Sequence, residues 1–429
     1  MKSKRQHSEE TKAKIRAKRN ATIQKHSDMV VKCYELKINK KRLKKKQLNE
    51  IEMMFLEGKR LYNNILAKKK ELEIPLNLIN PTDFYSVEVL DKDKNKQTVE
   101  LQFLPSHYKQ TIHARMISNE KTIRSLIKRG YQTHGSLQFK SELTCIPLKS
   151  GDWKFKSENK IKLMGVSGKL LIRGLRQFNR DKVEFANANL LKKPDGYYLK
   201  ITCYHNKKDL QFEKPNKTNI GLDFGIKTNI TTSEGEKVNV SIEEGDQLKL
   251  LQKKLQRQKK GSNNRYKTLK RIRIAYQKQI QKKQDKANKF IHKMKQYERV
   301  IYQDEQLKNW HQDKRGGMSK TVQHSCMGLI KVKLGQLENS IKLDKFIPTT
   351  KFCPHCGSIK NDITLSDRTY DCHCGYSEDR DVHAAKNMIA IWQYLVENNL
   401  VPMDGREVKL EDWNSFQNDP RRCQVFSLA

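Results

Sequence analysis

An α+β protein of several domains is the fold class the sequence predicts, and three observations predict it. Short β-rich runs crowd residues 136–210, long basic stretches near 45–65, 107–130 and 245–296 have helical texture, and hydrophobic strands bearing carboxylates recur beyond residue 217. The 429 residues suffice for two or three domains and a sizeable core. Lysine and arginine number 87 against 48 acidic residues, a formal charge of +39, and a folded chain so charged repels itself unless a polyanion is near. DNA or RNA is the natural partner, because each phosphate neutralised releases condensed counterions. A membrane surface is the competitor, but no apolar run is long enough to span a bilayer. The N-terminus lacks the apolar stretch of a secretory signal, so a cytoplasmic location is expected, at the nucleoid when DNA is bound. There the nine cysteines should be thiols or metal ligands rather than disulfides.

Taken in order, residues 1–28 read as a basic tail, mobile or partly helical. A strand is predicted over 30–38, within a first segment 29–47. Residues 48–135 read as a helical insert, with Leu48, Ile51, Met54, Phe55, Leu61 and Ile65 at helical spacing. Residues 136–216 read as a small β-barrel begun by the strand near 30, its clearest strands at 170–173 and, after a Pro-Asp-Gly turn, 197–204. Beyond Pro215, three strands are expected at 219–225, 229–232 and 237–240. A basic helical hairpin over 245–296 breaks at 259–264, and its second arm carries Tyr266, Leu269, Ile272, Tyr276 and Ile280 as a stripe expected to pack on its own domain. Lys253, Lys254, Arg257, Arg271, Arg273, Lys282 and Lys283 crowd the other faces and are expected to meet phosphate.

Three carboxylates stand out. Asp223 lies in an otherwise apolar strand, opposite in facing to Leu222 and Phe224 and beside Gly221 and Gly225. Such an acid is costly without a cation, and the glycines are expected to leave room for a metal and a phosphate. The strand 300–305 ends in Asp304 and Glu305, which read equally as a solvated strand end. In 378–387, which opens a helix, Asp379 suits N-terminal capping, whereas Asp381 precedes small residues that permit close packing. One acid from a first strand, one from a later strand and one from a C-terminal helix is the arrangement that holds two Mg²⁺ ions for phosphodiester hydrolysis.

Cys353-Pro-His-Cys356-Gly is a zinc knuckle, and Cys372-His-Cys374-Gly follows it. Four thiolates in two turns suit one structural zinc, though the second pair is a residue short and leaves His355 and His373 as substitutes. Cys33, Cys145, Cys203, Cys326 and Cys423 are scattered and read as ordinary thiols.

In this order, Gly221-Leu-Asp-Phe-Gly225, then Gln303-Asp-Glu305, then the finger just before Glu378-Asp-Arg-Asp-Val-His-Ala-Ala-Lys-Asn387, the chain resembles the TnpB family of transposon proteins, related to miniature type V CRISPR effectors. The resemblance covers about 217–390. It implies a split RuvC-like nuclease of the RNase H fold over 217–347 and 377–398, a zinc finger at 348–376, a C-terminal tail at 399–429, and an N-terminal wedge barrel with a recognition insert. It also implies a guide RNA, cleavage of double-stranded DNA, and target reading mainly by base pairing. Carried over, the catalytic acids fall on Asp223, Glu305 and Asp381, with Asp304 or Gln303 as alternatives for the middle one. The helix expected over 321–337, with Lys320, Lys331 and Lys333 outward, lines the nucleic-acid channel or packs the nuclease. Transposon and CRISPR settings, and monomer and homodimer, stay open. A nuclease-inactive binder would lack a triad acid. An actin-like kinase or ATPase shares the first strand motif but needs a second phosphate loop, which the sequence lacks, and no P-loop is present. A self-sufficient transposase would need a tyrosine or histidine-pair motif, also missing.

Overall fold

The computed structural model describes residues 9–418 apart from 92, 94, 133, 210–214, 312–316 and 365, so Cys423 lies outside the described residues. The chain forms two compact units, Met1–Gln211 and Phe212–Ala429. Among the described residues no helix is long and apolar enough to cross a membrane.

In the first unit the expected tail is helical from Glu9. Helix α1 (Glu9–Ser27) faces solvent along most of its length and is held at its end. There the His26 ring stacks 3.8 Å from Tyr204, and Lys25 and His26 reach Glu184 at 2.6 and 3.2 Å. Next come β1 (Met29–Ile38), α2 (Lys45–Glu71), β2 (Ser86–Leu90), β3 (Lys96–Glu100) and α3 (Ser106–Lys128). The strands β4 (Cys145–Leu148), β5 (Trp153–Ser157), β6 (Lys160–Leu163), β7 (Leu170–Arg173), β8 (Val183–Lys193) and β9 (Gly196–Asn206) complete the unit. The β2–β3 hairpin lies within the insert expected to be helical.

Seven strands pair antiparallel in the order β4-β8-β9-β1-β7-β6-β5, so β1 does join the later strands across the insert. Among the described residues β4 and β5 remain edges, so the expected barrel is a sheet whose ladder does not close. Ile51, Met54, Phe55, Leu61 and Ile65 of α2 bury against Leu36, Ile38, Ile161 and Leu199, each such side chain contributing about 1.5–3 kcal/mol. Glu57 is buried because its carboxylate accepts the backbone N–H groups of Gln102, Phe103 and Leu104 at 2.8–3.1 Å, which fixes the entry to α3.

The second unit opens with β10 (Ile220–Phe224), β11 (Ile230–Thr232), β12 (Lys237–Val238), α4 (Asp246–Gln256) and α5 (Asn263–Met294). The break between the two helices carries Gly261 at φ +83°, and Ser262 Oγ then accepts the Arg265 N–H at 3.2 Å as the cap of α5. Then follow β13 (Val300–Gln303), α6 (Leu307–His311), α7 (Gly317–His324), α8 (Met327–Leu334), β14 (Ser340–Leu343), β15 (Thr369–Asp371), β16 (Ser377–Asp379), α9 (Arg380–Glu397), β17 (Glu407–Val408) and α10 (Leu410–Asn418). The six-stranded sheet runs β12-β11-β10-β13-β14-β17. Its first pairings are antiparallel, and β10, β13, β14 and β17 are parallel.

Alternation along each strand divides the core in two. Leu222, Phe224, Val300 and Tyr302 pack with Phe290 and Met294 of α5 and Ile330 and Leu334 of α8. Ile301, Ile341 and Leu343 pack on the other face with Met388, Ile391 and Leu395 of α9. Two expectations need correction. The helix 321–337 is two helices, broken where Ser325 caps back onto Val322 O and bridges to Ser241. Residues 399–418 are no simple tail, since β17 extends the sheet and Trp413 of α10 meets Phe352 at 5.8 Å between ring centroids.

Candidate functional site

Asp223 and Gly221 share one face of β10, and α9 lies on that face. A Cβ built on Gly221 would sit 1.9 Å from the Ala385 carbonyl oxygen, inside any permitted contact. The space at Gly221 is therefore filled by the α9 backbone, and that at Gly225 by the Thr228 carbonyl 2.7 Å from a Cβ. This corrects the expectation that the glycines leave room for a metal and a phosphate. They let a helix lie directly on the strand, with Asp381 one turn before Ala385.

The start of α9 is built to present Asp381. Asp379 caps it, accepting the N–H groups of Asp381 and Val382 at 3.1 and 3.2 Å while bonded to Lys237 at 2.7 Å, so its role is the capping one. Arg380 donates to Thr364 O at 3.0 Å and touches Asp381 Oδ1 at 3.2 Å.

At the end of β13 the three candidates part ways. Gln303 is buried and bonds inward to Asp344 O, Ile347 O and Thr349. Asp304 turns to Lys331 and Lys342, at 2.9 and 3.6 Å; burial works against its charge, but these bonds hold it below the usual carboxylate range. Among the described residues no cation lies at salt-bridge distance from Glu305, and burial, with Asp304 beside it, pushes it up against the pull of Lys331. Lys331 also donates to the Glu305 carbonyl, so this side chain points into the loop rather than outward as expected. Lys320 is exposed and Lys333 half-buried.

Asp223 feels the other two acids. Burial first, then the charges of Asp381 and Glu305, drive its carboxyl well above the ordinary range, opposed by Arg380. The three do not form a closed cage: among the described residues, the group whose ligand atoms all lie within 4.8 Å of one another is the cysteine quartet.

In that quartet Cys353 Sγ lies 3.7 Å from Cys374 Sγ, and Cys356 Sγ 3.5 Å from Cys372 Sγ. Sulfurs on a tetrahedron with ~2.3 Å Zn–S bonds are about 3.8 Å apart, so the donor set fits zinc. The Cys372 thiol is pushed down to about 6, bonds from the Cys374 backbone and Ser358 outweighing burial. His355 stacks on Tyr376 at 4.6 Å, and His373 approaches Cys356 and Cys372 at 3.9 and 3.7 Å from the rim. Substituting Cys353 by Ser is expected to weaken zinc retention by at least the ~100-fold that a lost outer-shell partner already costs, read by competition with a chromogenic chelator. Unchanged retention would exclude Cys353 as a ligand.

On the helical hairpin, Lys253, Lys254, Arg257, Arg271, Arg273 and Lys282 are exposed, while Lys283 is half-buried and donates to Gln323 O. The apolar stripe is only partly packed: Ile272 is buried, but Tyr266, Tyr276 and Ile280 are 67%, 40% and 50% exposed, against expectation.

The family model for the Cas12f1-like TNB domain matches residues 337–388, which hold the finger and the start of α9. Over that segment the chain is similar to Cas12f-like proteins. A protein of Streptomyces pristinaespiralis named "Putative RNA-guided DNA endonuclease" is 27% identical over 149 residues, 32% of this chain and 36% of the relative. Another, of Paramecium bursaria Chlorella virus 1 and named "Putative transposase A625R", is 46% identical over 44 residues, 10% of each chain. The chain thus spans about a third of the first relative's length and a tenth of the second's. Within this unit, sequence reasoning missed the buried, bonded places of Thr349, His383 and Asn387, and weighed Gln303 only as a candidate for the middle acid position. Their signal was faint: polar side chains inside hydrophobic runs, which one sequence cannot tell from exposed ones.

Proposed function

We propose that this chain is an RNA-guided, metal-dependent DNA endonuclease of a transposable element. The observation that carries the reading is Asp223, an acid on a central strand whose charge is opposed by Asp381 and Glu305, from two distant elements. Asp223, Glu305 and Asp381 would hold two Mg²⁺ ions, and Cys353, Cys356, Cys372 and Cys374 one structural zinc. Bound divalent ions supply the positive charge that activates an attacking water and stabilises a leaving oxygen of a phosphodiester. The protein's own part is to keep Asp223 on a rigid strand, carry Asp381 to it on α9, and divert Asp304 onto lysines so that Glu305 is left for the site.

We read the second unit's sheet, antiparallel at β10–β12 and parallel beyond, as the RuvC-like RNase H core. The first unit's sheet and its insert are read as wedge and recognition regions that grip guide RNA and target duplex. The charge of +39 suits these partners. Binding of a non-cognate duplex is accordingly expected to weaken by ~10³-fold or more between 50 and 200 mM salt, as for proteins with six or more phosphate contacts; a flat titration would remove phosphate contact from the account. The name of the matched Cas12f1-like model keeps a miniature type V effector as the second reading. Expression together with native flanking DNA tests the proposal: a discrete copurifying RNA and Mg²⁺-dependent cutting of a matched duplex are expected. Absence of both would overturn it, and RNA-dependent binding without cutting would mark a nuclease-inactive binder.

A further inference from the structure

A buried chain of polar side chains runs through the base of the finger. Thr349 Oγ1 donates to Gln303 Oε1 at 3.0 Å, and Gln303 sits on β13 two residues before Glu305. The Asn387 amide donates to Thr349 O at 2.7 Å and Phe352 O at 2.8 Å, and stands 3.0 Å from His383 Nε2. Asn387 and His383 are on α9, one and a half turns and half a turn past Asp381. His383 stacks on Tyr370 at 3.9 Å, and Tyr370 lies on β15, two residues before Cys372. Gln303, Thr349, Asn387 and His383 are all buried. Asn387 Oδ1 has no partner among the described residues, but the bonds of Gln303, Thr349 and the Asn387 amide nitrogen fix their places, and a buried chain so bonded transmits displacement.

We propose that Gln303, Thr349, Asn387 and His383 are positioning residues through which the four-cysteine cluster sets where Glu305 and Asp381 stand. The inference rests on the reading of those acids as ion ligands. The finger's first cysteine follows Phe352, whose carbonyl Asn387 holds, so the order of the cysteine loop and the seat of α9 are mechanically one. Thr349 then carries the same constraint to β13. A finger that is ordered only with its metal thereby places two acids from different elements at once.

Amide hydrogen exchange on the full-length protein, with zinc and after removal by a strong chelator, tests this. In the wild type, zinc removal is expected to speed exchange at least tenfold at 303–306 and at 380–383 as well as in the cysteine loop. In Thr349→Val, which keeps the carbonyl that Asn387 uses but deletes the hydroxyl, 380–383 should still respond while 303–306 no longer does. Thr349→Ser should restore the response, and in parallel the Mg²⁺ concentration for half-maximal cleavage should rise about tenfold in Thr349→Val at unchanged zinc content. A wild-type protein whose 303–306 segment ignores zinc, or a valine variant that responds like wild type, overturns the inference. If the wild type never cuts DNA, the nuclease reading fails, while the exchange result still decides the coupling.

Discussion

Replacing Asp223 by Asn is expected to lower Mg²⁺-dependent DNA cleavage by about 10³-fold or more, roughly 4 kcal/mol of transition-state stabilisation, with RNA binding unchanged. The same substitution is expected to stabilise the ion-free protein. The carboxyl is raised above its unfolded value by burial and by Asp381 and Glu305, so its contribution to stability is present below the unfolded pKa and is lost as pH rises through the folded one. At neutral pH without divalent ions the wild type therefore carries the cost of that raised carboxyl, whether as a buried charge or as a proton taken up on folding. The amide removes it, and the Tm should rise by at least about 2 °C, the shift one kcal/mol gives in a unit of this size. The gain should shrink on acidification, where the wild-type acid is protonated anyway. Mg²⁺ should raise the Tm of the wild type and leave that of the variant in place. A variant less stable than wild type in the absence of ions would mean that Asp223 has a structural partner.

Gly221→Ala is the second large effect. The added methyl meets the Ala385 carbonyl oxygen at 1.9 Å, a backbone atom held in a helix, so α9 must move bodily off the sheet. Overpacking of this kind costs about 3 kcal/mol or more, which corresponds to a Tm lower by roughly 6–12 °C. Cleavage should fall at least ~100-fold even where the protein is folded, because Asp381 rides on the displaced helix and errors of about 1 Å are enough. Ala385→Gly in the same chain should bring no relief, since the clash is with backbone. Rescue by that second change would show that the side chain, and not the carbonyl, fills the space.

The parts that the sequence made legible are those whose signal is local. Asp223 in an apolar strand, the paired cysteines, and the helix-opening Asp379 and Asp381 each stand within one short segment, and β10, β13 and α9 formed where periodicity placed them. What was illegible depends on what a residue faces. Gly221 reads as spare room until a helix is known to lie on it. Lys331 reads as a surface cation until its chain is seen to bend back to Asp304. The β2–β3 hairpin escaped because its alternation is weak and most of its side chains are exposed. The tyrosine stripe on α5 misled in the opposite sense, since apolar spacing alone does not say whether the partner is the same domain. The middle acid was a choice among Gln303, Asp304 and Glu305 by strand facing. The structure gives the first two buried and ion-pair partners, which supports Glu305 by exclusion.

The proposed nuclease requires three carboxylates, from β10, the end of β13 and the start of α9, to share divalent ions. Anomalous diffraction from crystals soaked with Mn²⁺ at neutral pH tests it most directly. Two manganese peaks about 3.5–4 Å apart, bounded by Asp223, Glu305 and Asp381, are expected. Peaks seated on Asp304 or Asp379 instead, or an empty map at Asp223 under saturating Mn²⁺, would contradict it.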